Sequence, residues 1–212
     1  MVVAIDGPAG SGKSTIARRV AEQAGFVYIN SGNFYRAITY AALRAGADLS
    51  STPHVLEIAQ RTGIELRNGR ISVDSCDVEQ DLHSDAVDEW VALHSAIPEI
   101  RDIVNSKLRQ AVENLDAVVE GRDITTVVFP DAEVKIYLDA SIEVRAQRRH
   151  DQGVSALSLE ELAQRIAARD EIDRNKPYGS LRVSESALYL DASHLTIEEV
   201  CETVLRKIRK TT

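Results

Sequence analysis

The chain has 212 residues, of which 44 % are hydrophobic and 27 % are charged, and its formal net charge at pH 7 is −8. This length suits one domain with its own hydrophobic core, and the acidic balance argues against a binder of nucleic acid, which usually needs a basic face. No apolar run approaches the ~20 residues of a membrane helix, and the amino terminus shows no secretion signal. The cysteines Cys76 and Cys201 fit a reducing compartment, so we expect a cytoplasmic globular protein.

Strands and helices are predicted to alternate along most of the chain. Short apolar runs rich in β-branched residues predict buried strands, and apolar residues at helical spacing predict helices. The predicted strands are 2–5, 26–29, 117–119, 134–138 and 188–190. The predicted helices are 13–24, 34–43, 85–94, 98–114, 141–150, 159–172 and 197–208. This alternation predicts an α/β fold, a parallel sheet with helices on both faces.

Residues 62–79 break the alternation. Residues 64–67 and 70–73 read as two strands, joined by Asn68-Gly69, a dipeptide that permits the type I′ turn of tight hairpins. We interpret this hairpin as part of an insertion in a single domain. The core is predicted at about 1–47 and 115–212, and the insertion at about 48–114.

A glycine-rich segment follows the first predicted strand. Residues 7–14 match the pattern G-x-x-x-x-G-K-[ST] in the strand–loop–helix context that the pattern requires. Glycines let backbone N–H groups surround phosphate oxygens, Lys13 brings charge to the β- and γ-phosphates, and Ser14 offers a hydroxyl ligand to Mg²⁺. The residues predicted to bind the nucleotide are Gly7, Pro8, Ala9, Gly10, Ser11, Gly12, Lys13, Ser14 and Thr15. This pattern occurs in switches, motors and kinases, so it does not name the reaction.

Several arginines occur where loops are expected after strands. They are Arg36, Arg122, Arg148, Arg149 and Arg169. Each has a plain alternative: a charge on a helix surface, a cation near a helix C-terminus, or part of the solvated, alternating charge of residues 169–176. Ligands of open α/β sheets bind at the carboxyl ends of strands, so the joint placement of these arginines favours a second phosphate site. Phosphoryl transfer to a small acceptor requires such a site.

Five segments together resemble the bacterial cytidylate kinase family. They are IDGPAGSGKST at 5–15, SGNFYR at 31–36, EGRDITTVVFPDA at 120–132, DAS at 139–141 and RDEIDRNK at 169–176. The resemblance covers nearly the whole chain, and its second and third segments are the most specific. It implies a P-loop nucleoside monophosphate kinase that transfers the γ-phosphoryl group of ATP to CMP or dCMP. It also implies that the insertion binds the nucleoside monophosphate and that a short lid lies at about 148–158.

The resemblance implies a role for individual residues. Arg36, Arg122 and Arg169 would hold phosphate, Asp173 would bind ribose, and Arg148 and Arg149 would begin the lid. Cytosine would be read by an arginine and by a carboxylate that accepts from its N4 amine, here Arg101 and Asp123. The implied acceptor residues are Ser31, Tyr35, Arg36, Arg101, Arg122, Asp123, Arg169, Asp173 and Lys176, and the implied catalytic residues are Lys13, Arg122, Arg148, Arg149 and Arg169.

The sequence also departs from the family at four positions, His83, Ala92, Thr125 and Lys176. Ala92 replaces a serine that helps to read cytosine in some members, a contact that Ser95 could take over. Lys176 replaces a common arginine and lacks its bidentate fork. Thr125 replaces a common glycine, and His83 a common arginine.

Glu120 is a further candidate, because it ends a predicted strand beside the phosphate loop. There it could orient water bound to Mg²⁺, as a second acidic residue of P-loop enzymes does.

Two alternatives stay open at this point. The chain could be a P-loop kinase for another small acceptor, or a nucleotide-binding switch without turnover. The expected partners are ATP and CMP or dCMP, together with Mg²⁺. We expect a monomer that binds neither nucleic acid nor membranes.

Overall fold

The computed structural model describes residues 1–67, 69–151, 153 and 157–211. They form two units, the first comprising Met1–Ile29 and Leu115–Thr212 and the second Asn30–Asn114. None of the described helices is both long and apolar enough to cross a bilayer. The division into core and insertion predicted above stays a prediction.

The helices and strands have the following bounds in chain order. They are β1 (Val2–Asp6), α1 (Lys13–Ala24), β2 (Val27–Asn30), α2 (Ser31–Arg44), α3 (Thr52–Arg61), β3 (Ile64–Arg67), β4 (Arg70–Val73), β5 (Cys76–Asp77), α4 (Asp85–His94), α5 (Pro98–Ala111), β6 (Ala117–Gly121), β7 (Val134–Asp139), α6 (Ile142–Asp151), α7 (Leu159–Asn175), β8 (Leu188–Asp191) and α8 (Ile197–Arg209). A 3₁₀ turn at Asp81–His83 and a π-helical turn at Ile124–Val128 complete the described elements.

The first unit is built on a five-stranded parallel sheet with the strand order β2-β6-β1-β7-β8. β1 lies at its centre, with Val3 opposite Val118 of β6 and Val134 of β7. These strands are apolar almost throughout, as expected where helices cover a parallel sheet. The core also includes Ile5, Ile16, Val20, Ile136, Leu138, Val200, Val204 and Ile208. The α/β fold predicted from the alternation is confirmed.

The position of β1 decides where a ligand can bind. Its neighbours β6 and β7 lie on opposite sides of it, so the chain order reverses at this strand. In open parallel sheets, the crevice outside the carboxyl end of such a strand is the ligand site. The segment after Asp6 starts in that crevice.

Local sequence signals explain the ends of several helices. α1 ends at Gly25, whose φ of 72° lies in the left-handed region and whose N–H donates to the Ala21 and Glu22 carbonyl groups. α7 begins with a capping box, in which Ser158 and Glu161 each accept from the other's backbone N–H. Both helix ends agree with the sequence prediction.

The second unit contains an antiparallel sheet with the order β3-β4-β5. Ile64 pairs with Val73, and Arg67 pairs with Arg70, which confirms the predicted hairpin strands. The predicted turn residue Asn68 lies outside the described residues. The buried residues of this unit include Phe34, Ile38, Val55, Ile58, Ile71, Leu82, Val87, Ile100, Val104 and Leu108.

Some elements differ from the prediction. Helix α3 was not predicted, although Pro53 suits its first turn and Val55 and Ile58 are buried. α2 begins three residues earlier than predicted because the Asn30 side chain accepts from Gly32 N–H and caps the helix. The expectation that Arg36, Arg148, Arg149 and Arg169 lie in loops is wrong, because they lie on the helices α2, α6 and α7.

Candidate active site

The predicted phosphate-binding segment forms the turn between β1 and α1. A Cβ atom at Gly7 would lie 2.0 Å from the Leu138 carbonyl oxygen, so only glycine fits there. Gly12 precedes α1 with a φ of 97° and offers no side-chain cap. The first N–H groups of α1 can therefore serve an anion. Among the described residues, the buried Ser11 hydroxyl lacks a hydrogen-bond partner, which fits a group that faces a ligand.

Lys13 is enclosed by this segment. It is 5 % exposed, and its Nζ donates to the Pro8 carbonyl oxygen at 2.7 Å. Burial, with a smaller contribution from Arg122, lowers the pKa of Lys13 to about 7, while the carboxylates of Glu120 and Asp173 oppose this shift. A bound polyphosphate would favour the charged form of Lys13. Thr15, the last residue of the predicted segment, is exposed in the first turn of α1.

Glu120 of β6 contacts the first turn of α1. Ser14 Oγ donates to Glu120 Oε1 at 2.7 Å, and the Tyr28 hydroxyl donates to the same oxygen at 3.2 Å. Burial and then the Glu120 charge raise the pKa of Tyr28, which therefore remains a donor. A hydroxyl and a carboxylate are hard oxygen ligands, which Mg²⁺ uses together with substrate phosphates and water. These side chains therefore fit a magnesium ion.

Two arginines of α6 hold the phosphate-binding segment from outside. Arg145 donates to the Ala9 carbonyl at 3.1 Å, and Arg148 donates to the Ser11 carbonyl at 3.2 Å. Arg145 is 2 % exposed and also forms a 2.7 Å ion pair with Asp170 of α7. Arg148 is thus anchored on the segment by its guanidinium group.

An arginine-lined pocket of about 510 Å³ lies beside the segment. Its lining includes Ala9, Gly10, Arg145, Arg148, Arg149, Leu162, Arg165 and Arg169. Arg149 and Arg169, both predicted to act on phosphate, are thus placed next to the phosphate-binding segment. Residues 152 and 154–156 of the predicted lid lie outside the described residues.

A second charged group lies between the end of β6 and α7. Arg122 Nε donates to Asp173 Oδ2 at 2.9 Å, and Lys176 Nζ donates to Asp173 Oδ1 at 2.7 Å. Burial opposes the ionised form of Asp173, but the charges and hydrogen bonds of Arg122 and Lys176 outweigh it and hold its pKa below the usual range. Asp123, which follows Arg122, is buried, and its carbonyl accepts from Val127 N–H.

The other predicted acceptor residues belong to the second unit. Ser31 and Tyr35 are buried on α2. Arg36 Nη1 donates to the Leu82 carbonyl at 2.9 Å and pairs with Asp88 of α4. The buried Arg101 of α5 lies over the Tyr35 ring, with its guanidinium carbon 5.5 Å from the ring centre.

The four departures from the family pattern have separate surroundings. His83 is exposed in the 3₁₀ turn, and Ala92 is exposed on α4. The Ser95 hydroxyl, the suggested replacement at Ala92, donates to the Ala92 carbonyl at 3.1 Å. Lys176 retains an ion pair with Asp173, and Thr125 forms hydrogen bonds that are described below.

Comparison with known proteins identifies the family. The model of the family described as cytidylate kinase matches residues 3–210. The chain belongs to the cytidylate kinase family. It is 43 % identical over 211 residues to the cytidylate kinase of Borrelia turicatae, covering 97 % of this chain and 95 % of that protein. It is 42 % identical over 211 residues to the cytidylate kinase of Borrelia hermsii, covering 97 % of each.

Solved structures agree with the fold of this cytidylate kinase family member. The protein TT1252 from Thermus thermophilus has a TM-score of 0.52 and 17 % sequence identity, and the match covers 99 % of this chain and 96 % of that one. At this identity the likeness concerns the fold alone. Membership of the family makes the protein a kinase with ATP as phosphoryl donor and nucleotides as substrates.

Sequence reasoning missed several residues at this family member's phosphate-binding segment. Arg145 and Asp170 form a buried ion pair next to it, Tyr28 bonds Glu120, and Asp6 ends the strand that precedes it. For Asp6 a signal existed, because a carboxylate at the end of an apolar strand needs buried partners. Arg145 lies in a polar helical stretch whose sequence does not distinguish it from Arg148 or Arg149.

Proposed function

We propose that the protein transfers the γ-phosphoryl group of ATP to CMP and dCMP, forming ADP and CDP or dCDP. One observation within the first unit carries the proposal. The buried Lys13 of the phosphate-binding segment lies close enough to Arg122 and Asp173 for their charges to affect its pKa. A cation for a donor phosphate thus lies within electrostatic range of a cation that can hold a second phosphate. This arrangement suits direct transfer between two phosphates better than it suits a switch.

The transfer needs orientation and charge neutralisation rather than a general base. The acceptor phosphate is already ionised near neutral pH, because its second pKa is about 6. One of its oxygens attacks the γ-phosphorus atom, and the bond from that atom to the bridging oxygen of ADP breaks. Lys13 neutralises charge on the transferring group, and Arg122, oriented by Asp173, holds the acceptor phosphate.

We assign the remaining acceptor contacts by family pattern. In the family pattern Arg36 and Arg169 would hold the acceptor phosphate, and Ser31 and Tyr35 would also contact the acceptor. Arg101 and Asp123 would read cytosine, since a carboxylate accepts from the N4 amine and disfavours the O4 acceptor of uracil.

Ser14 and Glu120 are the residues that would hold Mg²⁺, which supplies charge neutralisation at the phosphates when bound. Arg148 keeps the phosphate-binding segment in place through the Ser11 carbonyl. The adjacent Arg149 and Arg169 line the same pocket, where they can meet the transferring phosphoryl group.

The proposal is tested by an acceptor panel. ADP release is measured with Mg²⁺ and ATP and with CMP, dCMP, UMP, AMP or shikimate as acceptor. We expect kcat/KM for CMP and dCMP to exceed that for UMP by at least about 100-fold, because polar groups that match the base would be left unpaired by uracil. A preference for another acceptor would instead support a different P-loop kinase. Tight ATP binding without acceptor-dependent ADP release would support a switch.

The assembly and location of the protein stay predictions. We propose that it acts as a cytoplasmic monomer without nucleic acid. Size-exclusion chromatography with light scattering tests the monomer, and a mass of twice 23.3 kDa would contradict it.

A further inference from the structure

We propose that Asp6 is a positioning residue for phosphoryl transfer, which fixes the segment carrying Arg122 and Asp123 to the strand end where the phosphate-binding segment begins. It acts mainly through Thr125. The inference rests on the proposed function, because it concerns the placement of groups assigned there to the acceptor.

Asp6 bonds three donors from two consecutive residues. It is fully buried at the end of β1, directly before Gly7. Its Oδ1 accepts from Ile124 N–H at 2.9 Å, and its Oδ2 accepts from Thr125 N–H at 2.7 Å and from the Thr125 hydroxyl at 2.6 Å. A buried carboxylate is costly without such bonds, so these contacts hold Ile124 and Thr125 in one position.

These contacts connect two parts of the proposed site. Ile124 and Thr125 directly follow Arg122 and Asp123, whereas Asp6 directly precedes the phosphate-binding segment. The Asp6 carboxylate therefore joins the start of the phosphate-binding segment to the residues that follow Arg122 and Asp123. It does so through two backbone N–H groups and one side-chain hydroxyl. Misplacement of a reacting group by about 1 Å can cost 100-fold in rate, so a link of this kind bears directly on acceptor binding.

The charge of Asp6 depends on the same contacts. Burial, together with the charge of Asp123 and against the opposing hydrogen bonds from Thr125 and Ile124, raises the pKa of Asp6 to about 6. Lys13 of α1 and Tyr137 of β7 also interact electrostatically with Asp6. Loss of the Thr125 hydroxyl removes a bond to the ionised form, so the pKa of Asp6 rises further. The acidic limb of the pH–rate profile then moves to higher pH.

Three variants test the role. Thr125→Val removes the hydroxyl but keeps the branched shape, and Thr125→Ser keeps the hydroxyl. Thr126→Val is the matched control, since the Thr126 hydroxyl is buried without a hydrogen-bond partner among the described residues. The assay measures kcat and KM with the best acceptor of the panel between pH 5 and pH 9.

We expect Thr125→Val to raise KM for the acceptor about tenfold, because the segment that carries Arg122 and Asp123 is then held less precisely. KM for ATP should stay within about twofold because the phosphate-binding segment itself is unchanged. The acidic limb should move to higher pH, Thr125→Ser should restore both properties, and Thr126→Val should match the wild type.

Other outcomes overturn the inference. These are equal effects of Thr125→Val and Thr126→Val, equal rises in KM for acceptor and ATP, or an acidic limb that does not move. If Thr125→Val does not fold, Thr125→Ala is compared with Thr125→Ser, and equal kinetics in that pair contradict the role of the hydroxyl. A wild type that prefers a non-cytosine acceptor refutes only the proposed function, whereas a wild type without turnover overturns both.

Discussion

Buried carboxylates near the phosphate-binding segment accept hydrogen bonds from neighbouring side chains. Glu120 is 4 % exposed and accepts from Ser14 and Tyr28. Asp173 is 6 % exposed and accepts from Arg122 and Lys176. The donors that bond these two carboxylates can also bond a ligand. A substitution at either carboxylate should therefore change the binding of one particular ligand group.

The Glu120→Gln variant tests the magnesium site. It keeps the shape of the side chain but removes its charge, so Mg²⁺ binds less favourably at this position. We expect the Mg²⁺ concentration for half-maximal rate to rise about tenfold, the lower end of the loss seen for groups that support metals. The measurement is a Mg²⁺ titration at saturating ATP, and a dependence unchanged from wild type would remove the proposed role.

Asp173→Asn tests the ribose contact. The amide accepts a hydrogen bond from the 2′-hydroxyl less strongly than a carboxylate, and dCMP lacks that hydroxyl. We expect KM for CMP to rise about tenfold more than KM for dCMP, the difference of one charge-assisted hydrogen bond. The dCMP assay serves as the control because any disturbance of Arg122 affects both acceptors. An equal loss for the two nucleotides would contradict the ribose role.

At the scale of elements, one side chain connects three parts of the first unit. Arg145 of α6 donates to the Ala9 carbonyl of the phosphate-binding segment and to the Ala140 carbonyl after β7. It also forms the ion pair with Asp170 of α7, and both side chains are 2 % exposed. The Asp170 carboxylate has no aligned hydrogen-bond donor in the described part of the chain, so it depends on the charge of Arg145.

The Arg145→Met variant should therefore destabilise the protein by about 3 kcal/mol, because it leaves the Asp170 charge buried and unpaired. The double variant Arg145→Met/Asp170→Leu removes both charges and should be less destabilised than the single variant. Urea unfolding followed by circular dichroism measures both. A double variant at least as unstable as the single one would show that the ion pair is not the cause.

For the whole molecule, the negative net charge contrasts with a local concentration of positive charge beside the phosphate-binding segment. The net charge is −8, which on average repels ATP, yet the pocket beside the phosphate-binding segment is lined by five arginines: Arg145, Arg148, Arg149, Arg165 and Arg169. Local concentration of one charge sign can attract a ligand that the average charge repels. Binding of ATP to the folded state should therefore stabilise the protein by linkage.

At 100 times its Kd, MgATP should add about 2.7 kcal/mol to stability and raise Tm by about 5–10 °C for a chain of this size. Differential scanning fluorimetry measures the shift. Lys13→Ala should reduce the shift to below about 2 °C at the same ATP concentration because it removes the buried cation of the segment. Lys207→Ala, on the exposed surface of α8, is the control and should keep the full shift. Equal shifts in the two variants would contradict the role of Lys13.

Much of this protein follows from local sequence. The phosphate-binding pattern with its flanking strand and helix, the hairpin strands at 64–67 and 70–73, and the capping box at Ser158 all depend on residues close in the chain. Spacing and turn chemistry determine such features directly. The motifs at 31–36 and 120–132 also indicated the family, which comparison then confirmed.

Tertiary structure decided which distant charges meet. Asp6 and Thr125 are separated by 119 positions, and Ser14 and Glu120 by 106. The sequence predicted that Glu120 lies beside the phosphate-binding segment, but it did not show the bond between Asp6 and Thr125, because β1 pairs with β6 through long-range sheet order. The π-helical turn after Asp123 also lacked a local signal, since its first two amide groups, those of Ile124 and Thr125, donate to the Asp6 carboxylate of β1. Burial then determined the pKa of Lys13 and Asp6, because desolvation depends on everything packed around a group and not on its neighbours in the chain.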